Sequence, residues 1–312
     1  MLATSTLVRR SVLVVPVADE GAVAESWRHG ADAVVLRLAD RRSRQARAAD
    51  RAQLGPAARS AGRGGADVFV EVDGAVAYAD ARAALEPAEE IHGVVLPNAE
   101  SAADVEAIDQ LLGDQERDHG IARGQLEIML VLGTPKGIWR VREIVNASPR
   151  ATCVAIDEAQ LCRSMGIVPT PAFDPLAFCR GRVIVETLAA VRLPLGIGHP
   201  LGALPDEADG ERFPMLADRA RNSGFKGALC PLTSWVAPCN RAFTPTDEQV
   251  AYYRAVRTAF AQGVARGTAA VPFPGGRMID VPVDERAKLV IDWWERCRRR
   301  DADKAAMLQG LL

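Results

Sequence analysis

Residues 30–40 read GADAVVLRLAD, a run of aliphatic and β-branched residues that ends among charged ones. The stretch that follows, residues 41–61, is rich in Ala and Arg and carries apolar residues three and four positions apart, which is the period of an amphipathic helix. A nearly continuous apolar strand followed by a helix predicts a parallel sheet that helices cover on both faces.

The same strand–helix unit recurs along the chain. Eight apolar runs predict strands at residues 11–17, 33–38, 67–72, 93–97, 126–132, 152–156, 195–198 and 227–230. The stretches between them predict helices at residues 20–29, 41–61, 101–112, 136–147, 174–191, 206–223 and 246–266. Eight such units predict closure into a (β/α)8 TIM barrel, an α/β fold. A doubly wound open sheet is the alternative, which the lack of GxGxxG after the first strand disfavours.

The length of 312 residues suits one large domain, since barrels of this class commonly have about 250 residues. No low-complexity linker divides the chain, and segment 167–175, with three prolines, is predicted to be a loop or lid. We therefore expect one TIM-barrel domain over residues 1–312, with residues 268–312 as a C-terminal extension. The extension contains a hairpin around Pro274 and Gly275 and a helix from about Asp284, whose Trp293 and Trp294 favour an interface.

Composition excludes several classes of protein. The net charge is −2 and no block of Lys and Arg is present, so nucleic acid is not an expected partner. Six cysteines without CxxC spacing indicate free thiols in a reducing compartment, and no apolar stretch reaches the roughly 20 residues of a membrane span. The N-terminal apolar run could be a signal peptide, but it contains Pro16 and runs into Asp19 and Glu20. We interpret it as the first strand of a cytoplasmic protein.

Functional residues of (β/α)8 barrels lie at the carboxyl ends of the strands. This rule selects a small set of candidates from the predicted strands. In strand order they are Val15 and Pro16, Arg37 and Asp40, Glu71 and Asp73, Pro97 and Asn98, Gly133 with Thr134 and Pro135, Asp157 with Glu158 and Gln160, His199, and Cys230 with Pro231.

The strand ends and their flanking residues carry motifs of a known family. These are Arg10-Ser11-Val12-Leu13 with Pro16, Gly30-Ala31-Asp32-Ala33-Val34-Val35-Leu36, Gly93-Val94-Val95-Leu96-Pro97 with Glu100-Ser101-Ala102, Gly133-Thr134-Pro135-Lys136-Gly137, Phe243-Thr244-Pro245-Thr246 and Gly276-Arg277-Met278-Ile279-Asp280-Val281-Pro282-Val283. In this order they resemble the HpcH/HpaI aldolase and citrate lyase beta-subunit superfamily, and its malyl-CoA lyase group in particular. The resemblance implies a TIM barrel, a homo-oligomer (trimer or hexamer) and Mg²⁺-assisted carbon–carbon cleavage or condensation of acyl-CoA substrates.

The chain departs from the family pattern at most of the implied site positions. Arg37 stands where the second strand has an acid, Glu71 and Asp73 replace an Arg and an Asn, Asn98 replaces a Lys, Gly133 and Gln160 replace the two metal-binding acids, and Cys230 replaces a His. Mg²⁺ prefers carboxylate and other hard oxygen ligands. Mg²⁺ is the cofactor that the resemblance implies, but its ligands are replaced, so we assign no metal ligand and no cofactor.

Arg37 and Glu71 indicate an exchange of charge between two neighbouring strands. The family has an acid on the second strand and an Arg on the third, and here the signs are reversed. Neighbouring strands bring such positions close together, so a swapped ion pair is one interpretation. The other is that Arg37 binds an anionic ligand from the opposite side of the pocket.

Other candidates also have two interpretations. A relocated metal site could be formed by Glu71, Asp73, Asp157, Glu158 and His199. The alternative is that these residues are solvated charges at the barrel rim. Cys230 could be a nucleophile or a buried inert thiol. Asp280 is implied by the resemblance to assist catalysis in a neighbouring subunit, but it could also be a turn acceptor before Pro282, and Arg10 could contact a CoA phosphate.

Two functions remain open at this point. The first is a divergent carbon–carbon lyase acting on an acyl-CoA or keto-acid substrate with an altered site. The second is a non-catalytic family member that serves as a binding or regulatory subunit. The residues assigned to the site are Asp280 as catalytic and Arg10, Arg37, Glu71, Asp73, Asn98, Thr134, Pro135 and Cys230 as substrate-binding.

Overall fold

The computed structural model of the chain describes residues 7–39, 43–73, 77–85, 90–168, 173–197, 213–275 and 277–310. The strands are β1 (Ser11–Pro16), β2 (Ala33–Arg37), β3 (Asp67–Glu71), β4 (Gly93–Pro97), β5 (Glu127–Leu132), β6 (Ala151–Ile156), β7 (Leu193–Leu195), β8 (Ala228–Cys230), β9 (Val271–Phe273) and β10 (Arg277–Ile279). The α-helices are α1 (Glu20–Glu25), α2 (Arg44–Gly62), α3 (Ala77–Leu85), α4 (Ala102–His119), α5 (Pro135–Trp139), α6 (Val141–Asn146), α7 (Glu158–Met165), α8 (Ala177–Ala189), α9 (Phe213–Ser223), α10 (Val236–Ala242), α11 (Asp247–Ala265) and α12 (Val281–Gln309).

Strands β1 to β8 form one parallel sheet in the order β7-β6-β5-β4-β3-β2-β1-β8. The two ends of this order meet, because the backbone N–H of Gly196 donates to the carbonyl of Gly227 (2.9 Å) and that of Lys226 donates to the carbonyl of Pro194 (2.9 Å). The sheet therefore closes on itself with helices between the strands. The predicted (β/α)8 barrel is confirmed, and the open doubly wound sheet is not formed.

The predicted strands all overlap observed ones, but the helices differ in detail. Arg140 leaves the helical ψ region (ψ 14°) and divides the helix predicted at 136–147 into α5 and α6. Helices α3, α7 and α10 were not predicted, because helices of seven to nine residues show too little apolar periodicity. None of the helices in the described part of the chain combines the length and apolar character that a membrane crossing requires.

Alternate residues of each strand pack between the sheet and the helices. On β2, Val34 and Leu36 join the same buried cluster as Leu54 of α2. Because side chains of a strand point alternately to opposite faces, Val35 and Arg37 face the barrel interior. Arg37 is the last residue of β2, so its side chain lies at the carboxyl end of the barrel.

A buried charge cluster lies at the amino end of the barrel. The Arg9 guanidinium, fully buried, contacts Glu127 at the start of β5 (2.6 Å) and Asp67 at the start of β3 (3.0 Å). It also donates to the Thr152 hydroxyl of β6 (3.1 Å) and lies 4.7 Å from the centroid of the Phe69 ring. Arg9 thus links β3, β5 and β6 to the segment that precedes β1.

A second cluster of buried ion pairs includes a residue near the C-terminal end of α12. Asp32, which is fully buried, accepts from Arg10 Nε (2.8 Å) and Nη2 (2.9 Å) and from Lys304 Nζ (2.6 Å). Burial alone would raise the pKa of Asp32, but the hydrogen bonds and charge of Arg10, with those of Lys304, lower it from 3.8 to about 2.

The chain divides into two compact units. The first comprises Met1–Phe243 and Lys304–Leu312 and contains the barrel, and the second is Thr244–Asp303. In the second unit α11 and the β9–β10 hairpin share a small core that includes Val256, Val271 and Ile279. The predicted hairpin and C-terminal helix are present as β9–β10 and α12, and the second unit also contains α11, which packs against β9.

The backbone conformation of Val191, just after the C-terminal end of α8, leads to a stability prediction. It is 64% exposed and has φ 58°, a left-handed conformation in which a β-branched side chain is strained. We expect Val191→Gly to raise the free energy of unfolding by about 1 kcal/mol, because glycine adopts this conformation without a Cβ clash. Val185→Gly, on the exposed face of the same helix, should instead lower it by about 0.5–1 kcal/mol. Urea denaturation measures both, and a loss at Val191 would contradict the expectation.

Asp32 should set part of the acid stability of the fold. Asp32→Asn should lower the free energy of unfolding by about 3–5 kcal/mol, because it leaves Arg10 and Lys304 buried without their anion. The wild-type contribution should be complete above the unfolded pKa of 3.8 and be lost as pH falls towards about 2, since the folded pKa is the lower one.

Urea denaturation between pH 5 and pH 2 measures this effect, and Asp118→Asn, an exposed position on α4, is the matched control. The control should keep the wild-type pH dependence, whereas Asp32→Asn should be less dependent on pH. Equal slopes for Asp32→Asn and wild type would rule out Asp32 as the group responsible.

Candidate functional site

The strand register brings several predicted site residues together at the carboxyl end of the barrel, which we call the mouth. Pro16 of β1 pairs with Arg37 of β2, and Arg37 pairs with Glu71 of β3. On the other side, Pro97 of β4 pairs with Val131 of β5. Asn98, Gly133 and Asp157 directly follow β4, β5 and β6, so they lie at the same end.

Arg37 and Glu71 form the ion pair that the exchanged charges predict. Arg37 Nε lies 3.2 Å from Glu71 Oε2, and the side chains are 48% and 24% exposed. The two Nη atoms of Arg37 make no hydrogen bond to any residue that the structure describes. The half-exposed guanidinium therefore keeps two Nη donors, in the fork geometry that suits a carboxylate or phosphate.

A buried network of ion pairs and hydrogen bonds lies beside the ends of β2 and β3. Asp80 of α3, with no exposed surface, accepts from Arg47 Nη2 (2.5 Å) and Arg51 Nε (2.8 Å), both on α2, and from the backbone N–H of Asp73 (3.3 Å). Burial lowers the pKa of Arg47, but the hydrogen bond to Asp80 and the charges of Asp80, Asp73 and Glu71 outweigh it and raise the pKa. Arg47 is thus a positive charge held close to the strand-three carboxylates.

Sequence reasoning missed Arg47 and Asp80. Arg47 lies on the face of α2 that also carries the buried residues Leu54, Ala58 and Ala61. A charged residue at a position of the apolar stripe is seldom buried unless it is paired. That spacing was the available signal for Arg47, whereas Asp80 lies on a helix that was not predicted.

The resemblance implies a lysine at position 98 and metal-binding acids at positions 133 and 160. This chain has Asn98, Gly133 and Gln160 there, and the three residues lie close together. A Cβ on Gly133 would lie 2.7 Å from Gln160 Cγ, 2.9 Å from Gln160 Cβ and 2.8 Å from Asn98 Oδ1. Real Cβ contacts are essentially never so short, so a side chain at position 133 requires the Gln160 and Asn98 side chains to shift.

The polar groups around this contact are engaged with each other. Gln160 Oε1 accepts from Arg163 Nη2 (2.8 Å), and its Nε2 donates to the Ser164 hydroxyl (3.3 Å). The Ser164 hydroxyl in turn donates to the Gly133 carbonyl (3.1 Å). No carboxylate stands at either implied metal position, so these residues do not fit the hard-oxygen ligand set that Mg²⁺ prefers.

The relocated metal site receives no support from the described residues. Asp157 caps α7 by accepting from the Gln160 backbone N–H (2.8 Å), and Glu158 is buried against Arg180 (2.7 Å). No group of three or more His, Cys, Asp or Glu side chains in the described part of the chain is arranged to hold a metal ion. His199 and Asp40 lie outside the described residues.

The turn after β5 keeps a well-formed helix start. The Thr134 hydroxyl accepts from the Gly137 backbone N–H (3.1 Å), and Pro135 is the first residue of α5. Hydrogen bonds from Lys136 and Thr134 lower the pKa of Glu100, whose carboxylate lies 3.1 Å from Lys136 Nζ. Thr134 and Pro135 therefore lie at the mouth as predicted, with an exposed ion pair beside them.

Two other predicted site residues do not face the mouth, and a third, Asp280, lies in the second unit. Arg10 precedes β1 at the amino end of the barrel, where Asp32 engages its buried guanidinium, so its placement does not agree with a CoA contact. Cys230 ends β8, but its buried side chain turns outward to Cys239 of α10. Asp280 belongs to the second unit, where it accepts from the Val283 backbone N–H (3.1 Å) at the start of α12, as a turn acceptor does.

An open cavity of about 860 Å³ lies away from these residues, between the C-terminal half of α4 and the segments that precede β5 and β6. Its floor is the buried Arg150 guanidinium, which pairs with Glu116 (2.5 Å) and Asp109. These segments lead into the amino ends of β5 and β6, opposite the mouth. The side chains of this floor are engaged with each other, so we assign the functional site to the mouth.

Known proteins of similar sequence and structure were found along most of the chain. A citrate lyase subunit beta-like protein of Deinococcus radiodurans is 30% identical over 288 residues, which are 90% of this chain and 96% of that protein. An L-malyl-CoA/beta-methylmalyl-CoA lyase of Cereibacter sphaeroides is 27% identical over 215 residues, and the match spans 65% of that enzyme's length.

Among solved structures, a citrate lyase of Burkholderia xenovorans LB400 has a TM-score of 0.71 at 16% identity, covering 96% of each chain. CitE of Mycobacterium tuberculosis, in complex with magnesium, acetoacetate and coenzyme A, has a TM-score of 0.70 at 22% identity and covers 93% of this chain and 99% of its own. At these identities the likeness shows a shared fold.

The family model of the HpcH/HpaI aldolase/citrate lyase family matches residues 10–230, which include every strand of the barrel. This match covers more than two thirds of the chain, and four of the six motifs quoted in the sequence analysis lie within it. The chain therefore belongs to the HpcH/HpaI aldolase/citrate lyase family.

Proposed function

We propose that this chain is a divergent family member that binds an anionic small molecule, an organic acid or an acyl-CoA, at the barrel mouth. We further propose that it does so without the Mg²⁺-assisted carbon–carbon lyase reaction. The observation that carries the proposal is the contact of Asn98, Gly133 and Gln160. It fills the place where the family resemblance implies metal ligands.

The argument against metal-assisted cleavage is one of ligand chemistry and space. Mg²⁺ needs near-octahedral oxygen coordination and usually takes one or two carboxylates from the protein. Gly133 offers only a carbonyl, which Ser164 already engages, and the Gln160 amide oxygen is engaged by Arg163. The family metal would act as a Lewis acid on the substrate oxygen, and no residue at these two positions supplies that charge.

The argument for anion binding rests on Arg37. Its guanidinium is half-exposed, and Glu71 engages only the Nε side. Two outward N–H groups can then bind a carboxylate or phosphate side by side. Arg47, held beneath by Asp80, adds positive charge on the same side of the mouth.

The relatives indicate the class of ligand. Two of them are named for malyl-CoA and citrate lyase chemistry, and CitE was crystallised with acetoacetate and coenzyme A. Short keto or hydroxy acids and their CoA thioesters are therefore the first ligands to test. We keep the expectations of a homo-oligomer (trimer or hexamer) and of a cytoplasmic location as predictions.

Carbon–carbon cleavage by an altered site is the second candidate. It is favoured by the adjacent Arg37 and Glu71 at the mouth, a cation and a carboxylate 3.2 Å apart. Arg37 could stabilise an enolate oxygen and Glu71 could accept a proton, in the manner of electrostatic and general-base catalysis. This reaction would not depend on added metal.

One assay separates the two candidates. The purified chain is incubated with malyl-CoA or citramalyl-CoA, with and without MgCl2, and the thioester products are quantified by chromatography. Calorimetry with malate and acetyl-CoA measures binding in parallel. We expect binding without cleavage. Metal-independent cleavage would support the altered lyase, and cleavage that requires Mg²⁺ would overturn the proposal.

The filled position at Gly133 gives a stability prediction. Gly133→Ala should lower the free energy of unfolding by about 1–3 kcal/mol, because the new methyl overlaps Gln160 and Asn98. Gly181→Ala, whose Cβ on α8 meets no atom within 4 Å, is the control and should raise it by about 0.5–1 kcal/mol.

Gly133→Glu restores a carboxylate but meets the same contact. We expect the melting temperature of this variant to be equal with and without MgCl2. A Gly133→Ala variant as stable as wild type, or a Mg²⁺-dependent melting temperature of Gly133→Glu, would show that the position is open.

The anion site gives a binding prediction. Arg37→Ala should weaken malate or acetyl-CoA binding about tenfold or more, since charge-assisted hydrogen bonds contribute about 1.5–3 kcal/mol. Glu71→Gln should strengthen it, because the ligand no longer competes with a carboxylate for Arg37. Arg142→Ala removes an exposed arginine paired with Glu186 on the helix layer and should leave affinity unchanged. Equal affinities in wild type and Arg37→Ala would exclude Arg37 from the site.

A further inference from the structure

Two buried thiols face each other beside the seam of the barrel. Cys230 is the last residue of β8, and Cys239 lies in α10, nine positions later. Their Sγ atoms are 3.7 Å apart, and both residues are fully buried. The strand-end prediction placed Cys230 at the mouth, but the structure turns it towards this second cysteine.

We propose that Cys230 and Cys239 are a modification site, at which a reversible disulfide ties β8 to α10. A disulfide has an S–S length of about 2.05 Å. The two sulfurs are already in contact, because the Cys230 thiol donates to the Cys239 sulfur. The proposal does not depend on the function assigned to the mouth.

The step balances by thiol–disulfide exchange with a low-molecular-weight disulfide. One protein thiolate attacks the disulfide, forms a mixed disulfide and releases one small thiol. The second protein thiolate then attacks the mixed disulfide, which forms the Cys230–Cys239 bond and releases the second small thiol. The protein loses two hydrogens, and the small disulfide is reduced to two thiols.

The surroundings make this exchange slow and selective. The hydrogen bond with Cys230 and burial raise the pKa of Cys239 well above its usual value, so Cys239 is held as a thiol. The oxidant needs a local opening at β8, a three-residue strand that meets β7 through the Leu195–Gly227 bridge. Once formed, the bond would hold the end of β8 against α10, next to β1.

The sequence offers a direct measurement. Trypsin cleaves after Lys226 and Arg241, so one peptide, residues 227–241, contains both cysteines. Folded wild-type protein is incubated with oxidised glutathione, quenched in acid, alkylated and digested. We expect this peptide to carry no alkyl group and to be lighter than the reduced form by two hydrogens. Further cleavage at Trp235 should leave two fragments that separate only on reduction.

A stability readout accompanies the mass measurement. Oxidised wild type should melt several degrees above reduced wild type, because the bond constrains the unfolded chain. Cys230→Ser and Cys239→Ser should show no such rise, and Cys179→Ser, at another buried cysteine, should keep it. The mass result on wild type stands even if a variant fails to fold.

Two outcomes would overturn the proposal. One is a peptide 227–241 that carries two alkyl groups, or only glutathione adducts, after incubation of folded protein. The other is linkage of Cys230 or Cys239 to a different cysteine, or linkage that forms only in denaturant.

Discussion

Buried ion pairs at the amino end of the barrel fix the arrangement on which the rest of the structure depends. Arg9 has no exposed surface and reaches carboxylates at the starts of β3 and β5, while Arg10, on the other side of the same segment, holds Asp32 before β2. Each of these charges is tolerated inside the protein only while its partner is in place. They therefore define how β1 sits against its neighbours, and the parallel register that follows sets which residues meet at the mouth. In (β/α)8 barrels generally, residues at the amino end contribute to stability, and residues at the carboxyl end carry the chemistry that varies between proteins.

The residues at the mouth that depart from the pattern implied by the family resemblance contact each other. Arg37 and Glu71 form an ion pair at 3.2 Å. The Gln160 and Asn98 side chains lie in the space that a Cβ at position 133 would occupy. Gln160 donates to the Ser164 hydroxyl, and this hydroxyl donates to the Gly133 carbonyl. The polar groups at this part of the mouth are therefore paired. Under the proposed function this corner belongs to a mouth that binds its ligand without Mg²⁺, and its paired polar groups avoid the cost of burying unsatisfied ones.

Much of the barrel follows from local pattern, and most of what the sequence could not predict depends on contacts across the fold. The apolar runs predicted all eight barrel strands, and the Arg37–Glu71 pair followed from the rule that parallel neighbours align their carboxyl ends. Cys230 was placed at the mouth because it ends a strand, but the strand's parity turns it to the helix layer, as it also turns Ala228. Arg10 was interpreted through a family motif, whereas its guanidinium is buried against Asp32, which also accepts from Lys304 near the other end of the chain. The contact of Gly133 with Gln160 depends on how α7 starts, and helices that short leave little periodicity to read.

An ion pair between an arginine and a carboxylate lies at each end of the barrel, and the two pairs differ in their exposure to solvent. Arg10 and Asp32 are almost completely removed from solvent, and separating them would leave two buried charges unpaired, at a cost of about 3–5 kcal/mol. Arg37 and Glu71 are half and a quarter exposed, so water can solvate either group when they part, and such a pair is typically worth about 0–1 kcal/mol. A ligand carboxylate can therefore displace Glu71 from Arg37 with little loss, while no ligand could displace Asp32 from Arg10. Exposure, and not the identity of the residues, makes the pair at the mouth exchangeable, and the proposed anion binding rests on this difference from the buried pair at the amino end.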